Sequence, residues 1–167
     1  HKPLVVDADG LNHLAAHKEL LQSRQGDLVV TPHPGEFSRL SGLSISQVLA
    51  DVPGHALRFA REHRCICVLK DAPSATGAPT GVCHVNTTGN DGMSTGGSGD
   101  VLTGILAGLL AQKVPAHEAA VLGVWLHGRA GDLAEEIEGT YGLMARHLVE
   151  YLPGAMKRRG KDEKDGL

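Results

Sequence analysis

Apolar residues fall along this chain in short runs separated by longer, amphipathic stretches. Positions 4–7, 27–31 and 65–69 are brief runs rich in Val, Ile and Leu, each closed by polar or turn-forming residues, and they read as buried-type strands. Leu14, Leu20 and Leu21 among polar neighbours predict an amphipathic helix over 13–23. Positions 48–63 carry a helical pattern that Pro53 and Gly54 interrupt. Positions 82–85, after the Gly/Pro-rich turn 77–81, predict an edge strand of a hairpin. Beyond them 87–99 reads as a loop, 101–112 as a buried helix, and 116–135 and 143–151 as further helices. From 157 onward the chain is charged and poor in apolar residues, so the reading is a folded unit over 1–154 and a solvated tail over 155–167. Strands separated by helices predict an α/β fold, a mostly parallel sheet flanked by helices.

In such sheets ligands collect beyond the carboxyl ends of the strands. All three runs end in polar sequence: Asp7-Ala8-Asp9-Gly10, Thr31-Pro32-His33-Pro34-Gly35-Glu36, and Lys70-Asp71. A formal net charge of −3 supplies no basic field for nucleic acid or an anionic membrane surface, and no apolar run is long enough to span a bilayer. Aromatics make up only 3% of residues, so aliphatic side chains must fill the core. The three cysteines, Cys65, Cys67 and Cys83, are odd in number and fit a reducing, cytoplasmic setting. Cys65 and Cys67 alternate within an apolar run and read as small buried hydrophobes rather than metal ligands. His13 and His17 share a helix face but lack a third zinc ligand, so they read as a solvated pair.

The segment from Asn90 to Asp100 is dense in Gly, Ser and Thr and runs straight into the apolar helix. Glycines let backbone approach a ligand closely, and a helix start offers unpaired N–H groups with partial positive charge. Together they form an anion hole suited to a transferring phosphate. The segment lacks the Gly-Lys-Ser/Thr ending of a Walker loop. Asp100 at the helix start is placed to take a proton from an attacking hydroxyl; spacing alone supports equally a plain N-cap.

Thr95-Gly96-Gly97-Ser98-Gly99-Asp100-Val101-Leu102 resembles the anion-hole signature of the ribokinase-like superfamily. With Asn86 to Met93 before it, the segment is similar to the NAD(P)H-hydrate dehydratase branch. Val5 to Asn12, Thr31 to Glu36, Leu126 to Asp132 and Tyr141 to Leu143 match that branch in order. The resemblance implies a nucleotide-dependent repair reaction. ADP or ATP, with Mg2+, would phosphorylate the ring hydroxyl of hydrated NADH or NADPH, and loss of phosphate would restore the double bond. It places Asp100 as the base and sets Gly97, Ser98 and Gly99 around the transferring phosphate. His33, Asp9 and Asn12 would line the hydrated nicotinamide nucleotide, and Glu36 would hold Mg2+ through water. On residue chemistry alone, a lone His after a strand such as His33 is more often a hydrogen-bonded loop residue than a functional one, and Glu36 also fits a first-turn helix acid. The acids Asp7 and Asp9 point the same way if both lie on a strand, but the turn explains them as well.

Lys70, Asp71, Ala72, Pro73 and Ser74 match the family's nucleotide loop with departures: Asp71 stands where the family has Gly, Pro73 stiffens the loop, and Ser74 stands in for Thr. A carboxylate beside a polyphosphate is unfavourable unless Lys70 or a metal offsets it. The family domain is longer, with an earlier half carrying more strands and a second glycine-rich loop. The expectation is therefore a carboxy-terminal portion of the domain, with an unpaired sheet edge, from a family that tends to tetramers. A vitamin-precursor kinase of the same fold, or a nucleotide-binding remnant without turnover, would use the same anion hole. The His-Pro-Gly-Glu form of 33–36 favours the dehydratases.

Overall fold

The computed structural model describes residues 2–157. The central strands are β1 (Leu4–Val6), β2 (Leu28–Val30) and β3 (Ile66–Leu69), and they run parallel with Val5 opposite Val29 and Val30 opposite Cys67. β4 (Ala75–Gly77) and β5 (Cys83–Val85) then add two antiparallel pairs, giving a mixed five-stranded sheet in the order β1-β2-β3-β4-β5. The three helix-separated strands and the edge strand near 82–85 match expectation. The sheet is mixed rather than mostly parallel, because β4, which the sequence pattern did not mark as a strand, pairs antiparallel with both β3 and β5. β1 also departs from a buried-type strand: it lies at the sheet edge and Leu4 is 56% exposed.

Strand alternation divides the core in two. Leu28, Val30, Cys67, Leu69 and Ala75 face one layer, which holds α1 (Asp9–Ala16), α2 (Leu20–Ser23), α3 (Pro34–Ser41), α4 (Ile45–Ala50) and α5 (Val52–His63). Val29, Ile66 and Val68 face the other, covered by Leu102, Leu106 and Leu109 of α6 (Ser98–Ala111) and by Ala120 and Val124 of α7 (Ala116–Glu138). α8 (Ala145–Ala155) packs on α7 through Leu152 and Tyr151. Burial on both faces explains why β2 and β3 are apolar at every position. The cysteines behave as small core residues: Cys65 and Cys67 are buried, all three are free, and burial pushes the Cys65 thiol up to about 12.

Several boundaries move for local reasons. The helix read over 13–23 is two: α1 starts at Asp9, and α2 follows a break at His17. The pattern over 48–63 divides at Asp51, which accepts from the Gly54 N–H at 2.9 Å and caps α5. Pro53 thereby falls in the first turn of α5, where its missing N–H costs nothing. α8 continues through Ala155, past the helix end read at 151. Residues 158–167, most of the expected tail, lie outside the described residues.

Candidate functional site

The parallel ladder continues past the strands and aligns their three ends. The Thr31 N–H donates to Val6 O at 3.2 Å, and the Lys70 N–H donates to Pro32 O at 2.8 Å. Asp7, His33 and Lys70 therefore emerge side by side at one end of the sheet, as their positions after the strands implied. Lys70 Nζ lies 2.9 Å from Asp7 Oδ1, and the Thr103 hydroxyl of α6 donates to Asp7 Oδ2 at 3.1 Å. Burial alone would raise the Asp7 carboxyl; the hydrogen bond and charge of Lys70, the Ala8 amide and Thr103 outweigh it and hold Asp7 below the ordinary carboxyl range. Asp7 thus ties the first strand, the third strand and the α6 start together. Asp9 does not join it. Ala8 turns the chain at φ 48°, and Asp9 opens α1 at the surface, accepting from Asn12 Nδ2 at 3.3 Å, while Arg39 donates to Asn12 Oδ1 at 2.8 Å. The two acids do not form a pair.

Beside these strand ends lies an open cavity of about 590 Å³, within the range of small-molecule sites. Its floor is the first turn of α6, with Ser98 and Gly99. One wall is the turn Lys70, Asp71, Ala72, Pro73 and Ser74, and His33 stands at its edge. Gly97 takes φ 88°, a left-handed conformation that suits glycine, and so turns the chain into α6. The N–H groups of Gly99 and Asp100 then fall in the first helical turn, where no intrahelical acceptor exists. Gly99 packs against the Lys70–Asp7 pair, since a Cβ there would stand 3.3 Å from Lys70 Nζ. The Ser74 hydroxyl donates to Asp71 O at 2.9 Å and closes the turn that bears Lys70.

Asp100 is exposed in the first turn of α6 and is not among the residues lining this cavity. It borders a second, more apolar groove of about 540 Å³, between Val101, Ile105 and Leu109 of α6 and Val149, Leu152 and Met156 of α8 and its end. Gly97 likewise lies off the cavity wall. The start of α6 is therefore two-sided, with Lys70, Ser98 and Gly99 on one flank and Asp100 on the other.

His33 and Glu36 form a cap. Glu36 Oε2 accepts from the His33 N–H at 2.8 Å, Glu36 Oε1 lies 3.5 Å from His33 Nε2, and His33 Nδ1 accepts from the Gly35 N–H at 3.0 Å. Both Glu36 oxygens are engaged by His33, and Glu36 is 7% exposed. Among the described residues no group of three or more His, Cys, Asp or Glu converges as a metal cage, and His13 and His17 form none.

Sequence reasoning placed Asn90 and Asp91 in the anion-hole segment but gave no role to the rest of the cavity's far wall. Asn86 to Asp91 form this wall, and α7 holds it. The Thr88 hydroxyl donates to Trp125 O at 3.0 Å, and Asp132 accepts from the Gly89 N–H at 3.0 Å. Gly128 lets this loop touch the helix, for a Cβ there would lie 2.7 Å from the Thr88 carbonyl carbon and oxygen. His127 Nε2 lies 2.9 Å from Ser98 O. Positions 127, 128, 131 and 132 fall on one helix face, so the motif Leu126-His127-Gly128-Arg129-Ala130-Gly131-Asp132 is a docking strip for the two loops that build the cavity. That helical spacing was the available signal.

The fold described above is similar to that of a ribokinase-like superfamily protein from Enterococcus faecalis V583. That structure matches with TM-score 0.77 and 31% identity, over 90% of this chain and 51% of the other. The profile of the NAD(P)H-hydrate dehydratase family matches residues 1–154, and the chain belongs to that family. The bifunctional NAD(P)H-hydrate repair enzyme Nnr of Moorella thermoacetica is 45% identical over 155 residues, 93% of this chain and 29% of that protein. The ADP/ATP-dependent NAD(P)H-hydrate dehydratase from Bacillus subtilis, co-crystallised with ATP/Mg2+ and soaked with CoA, matches with TM-score 0.80 and 30% identity, over 92% of this chain and 55% of that one. The chain thus spans about half of the solved relative and under a third of the curated one.

Proposed function

We propose that residues 1–154 form the nucleotide-binding and catalytic portion of an ADP- or ATP-dependent dehydratase that repairs hydrated NADH or NADPH. The observation that carries this reading, alongside family membership, is the convergence of Lys70 and its turn with the first turn of α6 around one cavity. A polyphosphate placed there meets a cation and helix-start amides, the elements that stabilise phosphoryl transfer. Asp100, on the opposite flank of the same turn, acts on the acceptor: its carboxylate takes the proton of the ring hydroxyl as the O–P bond forms. Hydroxide leaves poorly; phosphate leaves readily, taking the C–O electron pair as the lone pair of the ring nitrogen forms a C=N bond. A proton lost from the neighbouring carbon completes the double bond. His33, Asp9 and Asn12, at the ends of β2 and β1, would receive the hydrated nucleotide.

Mg2+ would arrive with the nucleotide and keep its waters, since the described residues offer no cage of their own. Glu36, engaged in the α3 cap, could meet it only through water. A cytoplasmic setting and a homo-oligomer remain part of the proposal. The test is incubation of the protein with hydrated NADH and ADP. Recovery of reduced-nicotinamide absorbance, dependent on ADP, is expected. A stable phosphorylated product without that recovery would identify a kinase, and ADP binding with no reaction a remnant.

A further inference from the structure

His127 lies against the phosphate-facing turn of α6, and the reading above, on which the following rests, gives it no role. It sits on α7, and its Nε2 is 2.9 Å from Ser98 O and 3.3 Å from Ser98 Oγ. A carbonyl oxygen only accepts, so Nε2 carries the proton and donates, which fixes the tautomer. Burial pushes the imidazole down to about 4, against the bond to Ser98, and the charge of Lys70 adds to the fall. The ring is therefore neutral at ordinary pH. A neutral donor holds the Ser98 peptide without adding charge beside a phosphate.

Ser98 is itself only 8% exposed and is the first residue of α6. Its N–H donates to Thr95 O at 3.2 Å, so the two peptides that flank Ser98 are each held, one by the glycine turn and the other by His127. The next amides are those of Gly99 and Asp100, and a Cβ added at Gly99 would stand 3.3 Å from Lys70 Nζ. The neighbouring residue of α7, Gly128, holds the Thr88 loop of the same cavity. One helix thus sets both the floor and the far wall.

We propose that His127 is a positioning residue for phosphoryl transfer: by donating from Nε2 to Ser98 O it aims the Gly99 and Asp100 amides at the transferring phosphate. His127 also lines the cavity, and the role assigned to it here acts through its bond to Ser98 O. Glutamine can present a side-chain N–H of similar reach, whereas alanine cannot.

The test compares wild type, His127→Gln and His127→Ala in the full protein, in the hydrated-NADH assay and by calorimetric ADP binding. Misplacing a reacting group by about 1 Å costs up to roughly 10²-fold. His127→Ala should lower kcat by about 10- to 100-fold with little change in KM for the hydrate, and His127→Gln should recover most of it. Long-range proton–nitrogen NMR of the wild type should show a neutral ring protonated at Nε2. An alanine variant with wild-type kcat, or a ring protonated at Nδ1, overturns the proposal while leaving the dehydratase reading intact. Loss of kcat that Gln does not restore, in a variant with wild-type thermal stability, also overturns it. A wild type that neither binds ADP nor restores reduced nicotinamide overturns both.

Discussion

Replacing Gly128 with alanine should loosen the far wall of the cavity, and the size of the effect follows from the contacts there. The added Cβ would lie 2.7 Å from both the carbonyl carbon and oxygen of Thr88, which are backbone atoms with no rotamer to turn. The loop must move off α7, which breaks the bond from Thr88 Oγ1 to Trp125 O at 3.0 Å and that from the Gly89 N–H to Asp132 at 3.0 Å. A neutral bond contributes about 1 kcal/mol and one to a carboxylate about 1.5–3, so roughly 2.5–4 kcal/mol is lost. Alanine in a helix interior is favoured over glycine by about 1 kcal/mol, which leaves a net loss of roughly 1.5–3. For a domain of this size that is a fall in Tm of about 3–12 °C. Gly104→Ala in α6 is the control: no atom lies within 4 Å of its added Cβ, so only the propensity gain remains, and Tm should rise by about 2–4 °C. Circular dichroism melts of both variants decide the matter. If Gly128→Ala melts at or above wild type, as Gly104→Ala should, the loop does not depend on α7 and the docking-strip account is wrong.

Three further outcomes follow from the same contacts. The Asp7 carboxyl is held below its ordinary 3.8, so its contribution is complete above that value and fades as pH falls through the lower folded-state value. Denaturant stability of wild type and Asp7→Asn should differ most near neutral pH and converge below about pH 4; a gap constant with pH would contradict the Lys70 pairing. Asp71→Asn removes an exposed carboxylate from the cavity wall and should tighten ADP binding about two- to fivefold by calorimetry, with unchanged affinity as the adverse result. Phe37 is 1% exposed and packs against Phe59 at a ring separation of 5.3 Å, so Phe37→Ala should cost about 3–5 kcal/mol by urea unfolding; a loss under about 1 would show that this layer is not packed as described.

The parts legible in the sequence are those where local chemistry and tertiary packing agree. β2 and β3 are apolar at every position because both faces are covered, and the polar residues after them mark the site. β4 was illegible because its Ala75-Thr76-Gly77 is small for a packing reason. A Cβ on Gly77 would meet Ala56 O at 2.5 Å, so α5 lies directly on the strand and excludes larger side chains. The break at Asp51 was legible in principle: an Asp three residues before Gly54, with Pro53 in the first turn, is a helix start rather than an interruption. At the site, the glycine turn and Lys70 stood out because their residue types are unusual after a strand. Asp7 stood out only as a strand end and as half of an acid pair with Asp9, because its partner, Lys70, is 63 residues away. His127 and Gly128 read as a helical pattern until the loops they touch were placed.

The central claim is that the start of α6 divides two flanks, with phosphate bound on the Lys70 side and the base, Asp100, on the other. Asp100→Asn tests it most directly, with ADP affinity and turnover of hydrated NADH measured on the same preparation. The account predicts near-normal ADP binding with kcat reduced by roughly 10²–10⁴-fold. Near-normal turnover in the Asn variant would reduce Asp100 to a helix-start residue and contradict the assignment.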